Sequence, residues 1–93
     1  QMNIRWTRTA LRDLESLGAY IAEEAPGAAA AVVDEILSGI QALTRHPEMG
    51  RRGRVAGTRE LVVASYVVAY RTTKASIEIL AIIHGARRWP DAF

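Results

Sequence analysis

RELVVASYVVAYRTTKASIEILAIIH, residues 59–84, is the stretch whose reading decides the fold. It contains three β-branched and aromatic runs of strand length, Arg59–Ala64, Tyr66–Arg71 and Ile77–His84, with the polar turn Thr72–Ser76 before the last. Connections this short join antiparallel neighbours, so the segment reads as a β-meander. The third run is apolar on both parities, with Ile77, Ile79, Ala81 and Ile83 on one and Leu80 and Ile82 on the other. Its second face should therefore be at least partly covered.

Upstream the period changes. Glu48–Thr58 is a glycine- and arginine-rich segment that reads as a loop, and before it lie two helical patterns. In the first, Ala10, Leu14, Leu17 and Ile21 form one apolar stripe with Leu11 beside it, and Thr7 is the candidate N-cap. Pro26-Gly27 interrupts the pattern, because proline lacks the donor a continuing helix needs and disfavours helix in the residue before it. The second helix reads from about Ala28 to Arg45 on Val33, Ile36, Ile40 and Leu43, and His46-Pro47 stops it. At the start of the chain, Met2, Ile4 and Trp6 alternate with Asn3 and Arg5 as in a short strand, and Gln1 reads as a cloning remnant. The expected architecture is a single α+β domain over residues 1–93, of order β-α-α-β-β-β, with a helical hairpin packed on a four-stranded, mainly antiparallel sheet.

Composition narrows the classes. The chain has 93 residues, is 49% hydrophobic and has no cysteine, so neither disulfides nor a thiolate metal site can hold it. Two histidines and no cysteine argue against a metal centre, and no cofactor is implied. No apolar run approaches the ~20 residues of a membrane span, and no signal-like leader is visible, so the expected compartment is the cytoplasm. Glycine-rich phosphate loops, HExxH and recognisable nucleophile groupings are missing.

Charge is more informative. Eleven of the twelve basic residues are arginine, and only Lys74 is lysine. Arginine suits planar, bidentate contact with phosphate and carboxylate, although GC-rich coding produces the same bias. Residues 1–44 hold three basic against six acidic side chains, a net of −3, whereas residues 45–93 hold nine against four, a net of +5. This asymmetry points to one face for an anionic partner and another for a different one, or else to solvated charge.

Two clusters are candidates for chemistry. Arg51, Arg52 and Arg54 lie on glycine-punctuated backbone with Arg59 just beyond, a pattern for phosphate contact or for a solvated loop. His84 leaves the last strand ahead of Arg87, Arg88 and Trp89. The histidine suits a general base or a structural hydrogen bond, and Trp89 suits a stacking surface, a protein hot spot or a lid on the core. His46, set against a proline, reads as a helix terminator. An enzyme built from arginines and one histidine would be suited to RNA phosphodiester cleavage.

The order of elements, together with Ile4–Ile21, Pro47–Leu61, Tyr66–Arg71 and Ile79–Pro90, resembles the RelE/ParE superfamily of bacterial type II toxins over essentially the whole chain. The resemblance implies a toxin held as a hetero-oligomer by a ParD-like antitoxin whose C-terminal segment wraps it. RelE-like members cut mRNA on the ribosome, whereas ParE-like members poison DNA gyrase. Nucleases of this kind carry a basic residue in the middle strand where Val67 stands here, and the lysine-rich surface of a ribosome-docking toxin is missing. The resemblance therefore favours a ParE-like gyrase inhibitor that is no enzyme. The target surface would then be Arg51, Arg52, Arg54, Arg59, Arg87, Arg88 and Trp89. The alternative is a ribosome-dependent endoribonuclease using Arg71, His84 and Arg54, and the third reading is a non-toxic interaction module. Antitoxin contact is expected at Arg5, Arg8, Leu11, Arg12, Tyr20 and Val32, while Leu17 is expected to face the sheet.

Overall fold

The computed structural model describes residues 2–85 and 89–93. In chain order the elements are β1 (Asn3–Trp6), α1 (Arg8–Glu24), α2 (Pro26–Leu43), β2 (Arg51–Arg52), β3 (Arg59–Val63), β4 (Tyr66–Thr72) and β5 (Ser76–His84). The three long runs form the expected meander, and β1 adds to it in parallel along β5. The sheet has five strands in the order β1-β5-β4-β3-β2, where four were expected. The additional strand is Arg51–Arg52, which pairs with Glu60 and Arg59 inside the segment read as a loop. Two residues give no alternation to detect, so only the tertiary pairing reveals it.

The helix boundary is also corrected. Pro26 and Gly27 do not form a turn between the helices but belong to the first turn of α2, and Ala25 alone breaks the chain between them. A proline at the start of a helix loses no intrahelical bond, because the first N–H groups have no partner there anyway. At the other end α2 stops at Leu43, two residues short of the expected Arg45.

Alternation along the strands sorts side chains onto two faces. Val68, Tyr70, Ile77, Ile79 and Ile82 meet Ala10, Leu17, Ile36, Ile40 and Leu43 from the helices in the main core. Complete burial of each large aliphatic chain contributes about 1.5–3 kcal/mol before entropy is counted. On the opposite face Ala69, Leu80 and Ala81 form a smaller cluster, with Ile83 and Trp89 packed against it. The second face of the last strand is thus covered, as its two-sided apolar sequence required. A register shift between Ala69 and Tyr70 places Leu80 outside the one-to-one pairing, which lets β5 present apolar residues on both sides.

Side chains of α1 and of its N-cap complete the part of β5 that β1 does not reach. Thr7 caps the helix by accepting from the Ala10 N–H at 3.1 Å, and its hydroxyl donates to the Ile79 carbonyl at 2.8 Å. Asp13 accepts the Ile82 N–H at 2.9 Å. The β1 ladder ends at Ile79, so these two side chains engage strand groups that lie at or beyond its end. Among the described residues, no helix is long and apolar enough to cross a membrane.

Candidate functional site

The centre of the arginine-rich half is an acid. Glu60 lies on β3, opposite Ala69 and therefore on the face away from the helices, with only 3% of its surface exposed. Arg51 donates to its Oε1 from Nε at 3.2 Å and from Nη2 at 3.0 Å. Arg54 donates to Oε2 from its backbone N–H at 2.8 Å and from Nε at 3.3 Å. Burial alone would raise the Glu60 pKa, but the Arg54 backbone and side-chain hydrogen bonds, with those of Arg51, outweigh it and hold the carboxyl below its ordinary range. The short β2 strand is thus fastened to β3 by charge as well as by its two-residue ladder.

The same guanidinium reaches the C-terminal segment. Arg54 lies over the Trp89 ring at 3.9 Å from its centroid, and Trp89 meets Phe93 edge-on at 6.5 Å. Glu60, Arg54 and Trp89 therefore form one continuous arrangement, in which the carboxylate orients the cation and the cation covers the indole. Trp89 Nε1 is buried without a hydrogen-bond partner among the described residues. The indole serves as a lid on the smaller cluster, one of the roles its sequence position allowed.

Tyr70 organises the approach to this loop from the helix side. Its hydroxyl donates to the Pro47 carbonyl at 2.8 Å and accepts the Gly50 N–H at 2.9 Å. Burial pushes its pKa up, against the lowering influence of Gly50 and Arg59. A Cβ on Gly50 would lie 2.6 Å from that hydroxyl and 2.9 Å from the Glu60 carbonyl oxygen, so the close approach requires glycine. Arg59 braces the same loop by donating to the Gly50 carbonyl at 2.8 Å.

The predicted site residues divide accordingly. Arg51, Arg54 and Trp89 come together around Glu60, whereas Arg52, Arg59 and Arg71 line a separate cavity of about 440 Å³ at the end of the sheet. Arg71 lies 3.2 Å from Glu78, its cross-strand partner. His84 pairs with Tyr66 at the opposite end of the β4–β5 ladder, their rings edge-to-face at 5.4 Å. Tyr66 and Arg71 are five residue steps apart along β4, roughly 17 Å at about 3.3 Å per residue. Arg87 and Arg88 lie outside the described residues. Arg5 is exposed on β1, and Arg8, Leu11, Arg12 and Tyr20 are exposed on α1. Val32 is half-buried on α2, and Leu17 is buried against the sheet.

Sequence reasoning missed Glu60, Tyr70, Thr7 as a strand partner, and Asp13. A signal for Glu60 was available, since it is the only acid between Glu48 and Glu78 and stands among four arginines. Tyr70 carried none beyond its parity, because its partners are backbone groups of a distant loop.

Two helices on one face of a mixed five-stranded sheet, with an arginine-rich loop and a tail closing the other face, define the RelE/ParE class of small bacterial toxins. The family model for the ParE toxin of the type II toxin-antitoxin system, parDE, matches residues 4–89, and the chain belongs to that family. Y4kP of Sinorhizobium fredii, designated a toxin, is 46% identical over 90 residues, covering 95% of this chain and 93% of that protein. Toxin RelE2 of Caulobacter vibrioides is 36% identical over 83 residues, covering 88% and 93%. Among solved structures, the chromosomal ParDE system of P. aeruginosa superposes with a TM-score of 0.80 at 26% identity, covering 89% of this chain and 95% of that one. The RelBE2 toxin-antitoxin complex of Mycobacterium tuberculosis gives 0.63 at 33% identity, covering 89% and 96%.

Proposed function

We propose that this toxin arrests growth by inhibiting DNA gyrase through a protein-recognition surface, and that a ParD-like antitoxin neutralises it in the cytoplasm. The observation that carries the reading is the separation of Arg71 and His84 to opposite ends of the β4–β5 ladder. A nuclease needs its cation and its proton-transfer group within hydrogen-bond reach of one scissile phosphate. A gap of roughly 17 Å of strand does not allow that. Arg54, the third nuclease candidate, is engaged by Glu60 and Trp89, and Val67, where a nuclease carries a basic side chain, is buried. Trp89 under a guanidinium, with Arg87 and Arg88 beside it in sequence, matches instead the aromatic and arginine anchors of protein interfaces.

For the antitoxin, the exposed Leu11 and Tyr20, on opposite flanks of α1, and Leu37 on α2 offer separate apolar contact points on the helical hairpin. Arg5, Arg8 and Arg12 supply cations for an acidic segment, and the half-buried Val32 on α2 offers a further apolar contact. The RelE designations of the Caulobacter relatives favour a second reading, ribosome-dependent mRNA cleavage.

Two assays on the purified toxin separate them: supercoiling by gyrase, and codon-positioned cleavage of mRNA in a translation extract. Inhibited supercoiling with intact mRNA is expected. Trp89→Ala should then weaken inhibition by about thirtyfold, the loss typical of an interface hot spot. Cleavage of mRNA with gyrase unaffected would overturn the proposal.

A further inference from the structure

The cavity at the end of the sheet is lined by Arg52, Gly53, Gly57, Thr58, Arg59 and Arg71 among others. Its three arginines come from three different strands, β2, β3 and β4, and the Arg59 guanidinium also donates to the Gly50 carbonyl. Arg52 and Arg59 are direct cross-strand partners, so two like charges face each other on neighbouring strands. The only acid within bonding distance of any of the three is Glu78, at Arg71, among the described residues. Even there the Arg71 Nε is buried without a hydrogen-bond acceptor, because its 3.2 Å approach to Glu78 lacks hydrogen-bond alignment. The guanidinium of Arg52 has no ion pair among the described residues, in contrast to Arg51, its immediate neighbour, which is tied to Glu60.

Three arginines with a single acid between them leave an excess of positive charge at the cavity, which is complementary to phosphate oxygens. The rest of the lining is glycine, alanine and threonine, with no aromatic or amide side chain to stack on or read a base. We infer that this cavity binds the phosphodiester backbone of a nucleic-acid strand without regard to sequence, through Arg52, Arg59 and Arg71. The inference goes beyond the gyrase reading and stands whether or not gyrase is the target, since it concerns cations separate from the Arg54–Trp89 surface.

The test is fluorescence anisotropy of the full chain with two labelled DNA duplexes of unrelated sequence and with single-stranded RNA of the same length. Arg52→Gln and Arg71→Gln are compared with Arg45→Gln, an exposed arginine outside the cavity. Neither test variant removes a core contact, and unchanged melting temperatures verify that both fold. Each should weaken binding about three- to tenfold and reduce the salt dependence by about one counterion. Arg45→Gln should bind like the wild type and the two duplexes should bind equally, while the RNA arm establishes which kind of strand is held more tightly. Equal losses in all three variants would overturn the proposal by making the attraction a property of net charge. Binding unchanged by Arg52→Gln and Arg71→Gln, or displacement of the duplex by equimolar pyrophosphate, would overturn it as well.

Discussion

Glu60 is where a single residue does most to fix the arginine-rich half. Its carboxylate collects two guanidiniums and a backbone N–H, and Arg54 passes that order on to Trp89. Glu60→Gln keeps the shape but removes the charge, and should lower stability by about 2 kcal/mol, reading hydrogen bonds to a charged group against two half-exposed arginines. In a Trp6→Phe background the same change should alter the Trp89 fluorescence, because Arg54 is no longer held over the ring. The pH dependence has a definite sign. The folded-state pKa lies below the ordinary value near 4.5, so the stabilisation is complete above that pH and disappears as pH falls through the folded value. Urea denaturation of wild type and variant should therefore differ most at neutral pH and converge in acid. Tyr70→Phe isolates a different residue: it deletes the acceptor of the Gly50 N–H and the donor to Pro47, and should cost about 1–3 kcal/mol in the same measurement.

At the scale of elements, what the sequence made legible is what repeats. The meander, the stripes of both helices and the cover on the second face of β5 all follow from periodicity sustained over several residues. Elements defined by a single contact were not legible. Arg51–Arg52 is a strand only because β3 offers it an edge, and although Pro26 marked the break before it, that Pro26 and Gly27 themselves open α2 was not legible. The candidate site divides in the same way: arginines are visible in a sequence, but which of them is neutralised depends on Glu60 turning away from the helices at one particular register. The β3–β4 hairpin carries a local conflict of its own. Its connection is Ala64-Ser65, and Ala64 holds φ 53°, in the left-handed region that costs a non-glycine residue about 1–2 kcal/mol. Ala64→Gly relieves that cost and gives back part of it as extra freedom of the unfolded chain. A net stabilisation of about 0.5–1 kcal/mol is expected in thermal melts, and a loss of stability would show that the turn is not strained.

At the scale of the whole molecule, a chain of 93 residues can bury only about 60–65% of its unfolded surface, which leaves a margin of a few kcal/mol. Leu11, Tyr20, Leu37 and Val62 nevertheless remain exposed, the last on the sheet. A partner that covers them binds only the folded state and so adds its binding energy to the folding equilibrium. At a thousandfold excess over its dissociation constant that addition is about 4 kcal/mol. Each kcal/mol raises the midpoint of a domain of this size by roughly 4–8 °C, so a cognate antitoxin's C-terminal segment should raise it by at least about 15 °C. Differential scanning calorimetry of the toxin with and without that peptide makes the measurement. Leu11→Glu with Tyr20→Glu should abolish the shift while leaving the free toxin's midpoint within a few degrees, because neither side chain is in the core. A full shift retained by that double variant would move the antitoxin off the α1 surface.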